Sequence, residues 1–171
     1  QSIVNQLFVS DIIEDVKEDL TEIINEKKAI LNISNLGWAS IIPFQFRQLM
    51  LNLISNALKF AQPNTVPIIL LQSKISSGRL LTKENDQLQE GKLSAEKNYC
   101  HIKISDNGIG FDPQFSERIF QVFQRLHTKE EYPGTGIGLA IVKKIVENHN
   151  GMITATSELG KGATFDIYIP S

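Results

Sequence analysis

A two-layer α/β (α+β) sandwich, with helices on one face of a mixed β-sheet, is the fold class that three features of this 171-residue chain predict. Two segments carry apolar residues at helical spacing: Ile12, Ile13, Val16, Leu20, Ile23 and Ile24, then Phe46, Leu49, Met50, Leu53, Ile54, Ala57 and Leu58. Short apolar runs of strand length lie between and after them. The chain closes on two such runs joined across Gly160-Lys161-Gly162, a hairpin signature. Strands alternating with amphipathic helices bury one helix face against one sheet face, which is the two-layer solution.

Taken in order, Gln6 to Val9 reads as a short strand, and Ser10 is placed to cap a helix over about residues 11–28. Asp11, Glu14 and Asp15 near its start and Lys27-Lys28 at its end match the helix dipole. Ala29 to Ser34 alternates as a strand, and Asn35-Leu36-Gly37 breaks it. Pro43 suits the first turn of the second helix, which Pro63 and Asn64 stop. Strands are expected at about 66–75 and 99–105, with the polar stretch 76–98 between them read as a long loop or solvated hairpin extension. A helical piece is expected at Glu117 to Phe123 within an irregular 111–135, then a helix from Gly136 to Asn148 closed by Asn150-Gly151. Met152 to Ser157 and Thr164 to Ile169 form the closing hairpin.

Composition narrows the classes. With 42% hydrophobic and 21% charged residues the chain is ordinary for a soluble domain. A net charge of -2 and no Lys/Arg-rich run speak against nucleic acid or a charged membrane surface as partner. The single cysteine, Cys100, suits a reducing, cytoplasmic setting. No apolar run approaches a membrane span and no secretory signal is visible, so the fragment is expected to make no membrane contact. The start at Gln1-Ser2 is read as that of a piece of something larger.

Three segments carry chemistry. Gln48, Asn52, Asn56 and Lys59 fall on one stripe flanking the apolar face of the second helix. Alone, that stripe reads as polar helix surface. Yet two amides with a lysine a turn on also suit a hard cation and a phosphate. Asp106-Asn107-Gly108-Ile109-Gly110 follows a strand. It reads as a tight turn, or as a fixed carboxylate able to accept from an exocyclic amine. Gly134-Thr135-Gly136-Ile137-Gly138-Leu139 opens a helix, where free N–H groups make an anion site; a packing hinge is the alternative. Its spacing is neither that of a Walker loop nor that of a dinucleotide fold. His101, His127 and His149 stand apart from one another and from Cys100, with no zinc-ligand spacing.

With Phe120-Gln121-Val122-Phe123, these segments occur in the order of the N, G1, F and G2 boxes, and nearly the whole chain resembles the catalytic and ATP-binding domain of sensor histidine kinases, a Bergerat-type fold. The resemblance implies ATP and Mg²⁺ as ligands. It makes Asn56 the magnesium ligand with Asn52 its support, turns Lys59 to the phosphates and packs Phe60 by the base. Asp106 would accept from the adenine amine, with Gly108 and Gly110 letting the backbone approach the ring. Gly134, Thr135, Gly136, Ile137, Gly138 and Leu139 would meet the phosphates, as would Arg125, whose alternative is an exposed structural arginine, and Thr164, whose alternative is a plain hairpin residue. Phe120 and Phe123 would tether a lid over about 111–135.

The chain departs from the family pattern in its polar 76–98 segment and lacks the histidine setting that such kinases phosphorylate. Residues 1–171 are therefore expected to be one ATP-binding catalytic domain without its phosphoacceptor partner, and to hold no catalytic residue of their own. The implied partners are a histidine-bearing dimerisation domain and a response-regulator receiver domain. Clamp-type ATPases share the fold, but they carry a glutamate where this chain has Asn52, an amide that takes no proton. A degenerate nucleotide-sensing module is the third reading, against which the intact boxes count. Phe123-Gln124-Arg125-Leu126-His127 and Glu131-Tyr132-Pro133-Gly134-Thr135-Gly136 also resemble bacterial hybrid and phytochrome-type sensor kinases.

Overall fold

The computed structural model describes residues 5–34, 36–89, 91–121 and 138–171. Along the chain come β1 (Asn5–Phe8), α1 (Val9–Asp19), α2 (Thr21–Lys27), β2 (Ile30–Ile33), β3 (Trp38–Ile41), α3 (Pro43–Lys59), β4 (Ile68–Ser77), α4 (Gly78–Glu84), β5 (Asn98–Asp106), α5 (Gly138–Asn148), β6 (Met152–Ser157) and β7 (Ala163–Pro170). The main sheet has the order β2-β4-β5-β7-β6. Its β2–β4 pair is parallel and the others are antiparallel, so the sheet is mixed as expected.

Side chains alternate across the sheet, and this sorts its two faces. Ile69, Leu71, Cys100, Ile102, Ile104, Phe165, Ile167 and Ile169 point to the helix layer. There they meet Ile13 and Val16 of α1, Phe46, Leu49, Leu53 and Leu58 of α3, and Val142 and Val146 of α5 in one buried core. The period read for the second helix is the one observed: all seven of its apolar positions are buried.

Four local expectations need correction. The first helix begins at Val9, so Ser10 lies inside it instead of capping it. Val9 N–H donates to Gly37 O at 3.1 Å, and that backbone contact does the work of a cap. The same helix breaks at Leu20, where Thr21 Oγ1 donates to Lys17 O at 3.0 Å and competes for a helical carbonyl. The break read at 35–37 is followed by a strand, β3, which pairs with β1 in a separate two-stranded sheet. The helical piece read at Glu117 to Phe123 holds a 3₁₀ turn, Arg118–Phe120, after another at Pro113–Phe115, and its residues 122–123 lie outside the described residues.

The stretch 76–98 is not a solvated extension. β4 runs to Ser77, whose Oγ accepts from Leu80 N–H and starts α4. Leu81, Leu88 and Leu93 then pack on Tyr99, Tyr168 and Met152 as a second small core. Tyr99 and Tyr168 belong to the opposite side chains of β5 and β7, so α4 covers part of the sheet face turned away from the other helices.

Candidate functional site

Helix α3 carries four candidates and is tied to two other parts of the site. Because Phe46, Leu49, Leu53 and Leu58 fill the core, Gln48, Asn52, Asn56 and Lys59 are left half-buried along its edge. Gln48 donates its amide to Asn52 Oδ1 at 2.7 Å, and Asn52 Nδ2 donates to Gly138 O at 3.3 Å. Asn52 thus joins α3 to the first residue of α5. Asn56, one turn further, makes no side-chain hydrogen bond among the described residues. Lys59 Nζ lies 4.9 Å from the centre of the Phe60 ring.

The other tie runs to the end of β5. Asp106 follows Ile102 and Ile104 on the helix-facing side of the strand. Its Oδ1 accepts from Gly108 N–H at 2.9 Å and Ala163 N–H at 3.2 Å, while Oδ2 receives no donor among the described residues. Burial pushes its pKa above the usual aspartate value, and the two backbone donors oppose that rise. Ile109 N–H donates to Phe60 O at 2.9 Å, which fastens the turn after β5 to the end of α3. A Cβ on Gly108 would stand 2.5 Å from Phe60 O, and Gly110 has φ +67°. Both glycines are therefore required by the protein's own backbone as well as by any ligand.

The remaining candidates divide. Gly138 and Leu139 open α5, and Leu139 packs against the core. Phe120 is buried edge-on to Phe165, with ring centres 6.2 Å apart, so it anchors its segment as expected. Thr164 does not join the others. It bonds Ser105 Oγ at 3.0 Å on the opposite face of the sheet, and its neighbour Ala163 supplies the N–H to Asp106 instead. Phe123, Arg125, His127, Gly134, Thr135, Gly136 and Ile137 lie outside the described residues.

Some residues of this frame carried no visible signal. Asn107 Oδ1 accepts from Ile68 N–H at 2.8 Å and its Nδ2 donates to Val66 O at 3.0 Å, pinning the turn to the start of β4. Ser157 Oγ accepts from Phe111 N–H and donates to Gly162 O. Gln62 reaches three backbone carbonyls. Asn107 sits inside the turn motif but has no role of its own there, and polar residues outside a motif, such as Gln62 and Ser157, look like ordinary loop or strand ends. Only the paired glycines at Gly160 and Gly162 hinted at a close approach there.

The described histidines are occupied elsewhere. His101 Nε2 lies 2.7 Å from Asp166 Oδ1 on the opposite sheet face, stacked on Tyr168. His149 Nε2 accepts from Ile42 N–H at 2.9 Å and its Nδ1 lies 2.7 Å from Ile145 O. Burial lowers its pKa, against a smaller upward pull from the Ile145 carbonyl. No group of three or more His, Cys, Asp or Glu able to hold a metal occurs among the described residues. No described helix is long and apolar enough to cross a membrane.

Residues 42–171 match the family described as histidine kinase-, DNA gyrase B-, and HSP90-like ATPase. Cyanobacterial phytochrome A of Nostoc sp. is 46% identical over 126 residues, which is 74% of this chain and 14% of that protein. Phytochrome-like protein Cph1 of Synechocystis sp. is 37% identical over 162 residues, 95% of this chain and 19% of that one. The chain therefore spans less than a fifth of either relative. Among solved structures, the mycobacterial sensor histidine kinase MprB superposes with a TM-score of 0.70 at 19% identity, covering 98% of this chain and 97% of that one. Full-length ShkA, solved in complex with AMPPNP, gives 0.70 at 24% identity, covering 99% and 31%.

Proposed function

This chain belongs to the histidine kinase-, DNA gyrase B-, and HSP90-like ATPase family as an ATP-binding catalytic domain of the sensor-kinase type, and we propose that it binds Mg-ATP and passes the γ-phosphoryl to a histidine on a separate helical domain. Residues 1–171 are then one catalytic domain, and the phosphoryl group travels on to a response-regulator receiver domain. The observation that carries this reading is Asp106: one carboxylate oxygen is fixed by two backbone N–H groups and the other is left to accept. A fixed acceptor suits the adenine amine and disfavours the carbonyl that guanine presents there.

Around it, Lys59 offers a charge to phosphate, and the start of α5 offers backbone N–H groups and a favourable dipole. Gly134 to Ile137, Arg125 and the lid complete the proposed site. The donor set fits a magnesium ion at Asn56, whose side-chain oxygen has no partner among the described residues. When bound, the ion neutralises phosphate charge.

Transfer breaks the bond between the γ-phosphorus and the β,γ-bridging oxygen and forms a bond to the acceptor nitrogen, releasing ADP. The acceptor and its proton-taking group belong to the helical domain. Hydrolysis finds no base at Asn52, an amide held between Gln48 and Gly138.

Radiolabelled ATP tests the proposal. Alone, the chain should bind ATP, hydrolyse it negligibly and leave His101 and His149 unlabelled, since both are engaged in hydrogen bonds. Mixed with the histidine-bearing helical domain of its own parent, it should label that domain. Strong acid-labile label on the isolated chain would contradict the reading.

A further inference from the structure

Gln62 lies just beyond the last turn of α3, outside every motif. Its Nε2 is 3.1 Å from Asn107 O, 3.0 Å from Gly108 O and 3.0 Å from Gly160 O. The first two carbonyls belong to the turn after Asp106, and the third to the β6–β7 hairpin. None of the three accepts another hydrogen bond among the described residues. One side chain therefore satisfies two separate loops at once.

Those are the two loops that aim Asp106. Its Oδ1 is fixed by Gly108 N–H from the turn and by Ala163 N–H from the strand that follows the hairpin. If the turn and the hairpin part, the two donors part with them and the direction of Oδ2 is lost. Two other fastenings, Gly160 N–H to Ile109 O at 2.8 Å and Phe111 N–H to Ser157 Oγ at 2.8 Å, keep the loops together without engaging the three carbonyls that Gln62 holds. We propose that Gln62 is a positioning residue for nucleotide specificity: by clamping the turn to the hairpin it sets the aim of Asp106, and so the preference for adenine over guanine. This rests on the proposed role of Asp106 toward the adenine amine.

The chemistry of the clamp is donation alone, and that makes it testable by isosteres. Gln62→Glu keeps the shape but replaces the donors with acceptors facing three carbonyls. Gln62→Lys supplies three donors and no acceptor, so it should restore the clamp. Titration of the whole chain by calorimetry with Mg-ATP, Mg-GTP and Mg-tripolyphosphate reads the result. Gln62→Glu should weaken ATP about tenfold and narrow the ATP:GTP ratio by a similar factor. Tripolyphosphate, which has no base, should bind as to wild type. Gln62→Lys should recover the ratio. Gln62→Ser is read the same way should Gln62→Glu not fold.

Asp106→Ala, titrated alongside, separates the two claims. A narrowed ratio in Asp106→Ala with an unchanged ratio in Gln62→Glu overturns the clamp and leaves the adenine reading standing. An unchanged ratio in Asp106→Ala overturns both. Equal losses for ATP and tripolyphosphate in Gln62→Glu, not recovered by Gln62→Lys, would reduce Gln62 to a fold-stabilising residue and also overturn the proposal.

Discussion

Asn52 on α3 donates to the carbonyl of Gly138, 86 positions later in the chain, at 3.3 Å. The contact brings an amide from one motif against the first helical residue of another. It also fixes the chemistry of the position. An amide with its oxygen on Gln48 and its nitrogen on a backbone carbonyl is a brace and has no role in taking a proton.

Asn52→Ala should therefore lower unfolding stability by about 1–2 kcal/mol, since it removes two such hydrogen bonds at about 1 kcal/mol each. Its effect on nucleotide affinity should be smaller than that of Asn56→Ala. Urea denaturation and calorimetry on the two variants check this. A larger loss of affinity in Asn52→Ala would assign it the more direct role.

Asn56 is predicted to act through the metal. Asn56→Ala should bind nucleotide equally with magnesium and with a chelator, whereas wild type should bind more tightly with magnesium. Asn56→Asp should keep a metal response, because a carboxylate oxygen ligates the same ion. Identical magnesium responses in wild type and Asn56→Ala would show that the ligand lies elsewhere.

His149 supplies a pH dependence. Its ring accepts from Ile42 N–H, the residue that precedes α3, and so ties the end of α5 to the start of α3. Only neutral imidazole accepts in this way. The folded pKa is lowered, so the contribution to stability is full above the unfolded value of about 6.5 and is lost as pH falls through the lower folded value. His149→Gln should flatten that acid limb of the stability curve. Denaturation midpoints across the mildly acidic range measure it, and parallel curves for the two proteins would refute the assignment.

The long-period elements were legible in the sequence because their signals are redundant. Seven buried apolar positions mark α3, and one glycine-bounded turn marks the closing hairpin. β3 was not legible: four residues, two of them Ala39 and Ser40, carry almost no pattern, and the strand exists only by pairing with β1. The small core of Leu81, Leu88 and Leu93 was hidden in polar sequence, since three widely spaced leucines have no period. In the site, Asn52 lies half-buried along the edge of α3 and Asp106 at the end of β5, the places in the fold that the helical period and the strand pattern implied. Thr164 does not join them, because alternation along β7 turns it to the far face beside Ser105. Gln62 was invisible because its partners are backbone carbonyls, which leave no mark on sequence.

The central claim is that Asp106 reads adenine, and paired calorimetric titrations of wild type and Asp106→Ala with Mg-ATP and Mg-GTP test it most directly. Wild type should bind ATP well and GTP poorly. Asp106→Ala should lose about 1–3 kcal/mol of ATP affinity, the range for an unmet buried polar partner, and bring the two nucleotides close together. Equal ATP affinity in wild type and Asp106→Ala would contradict the account.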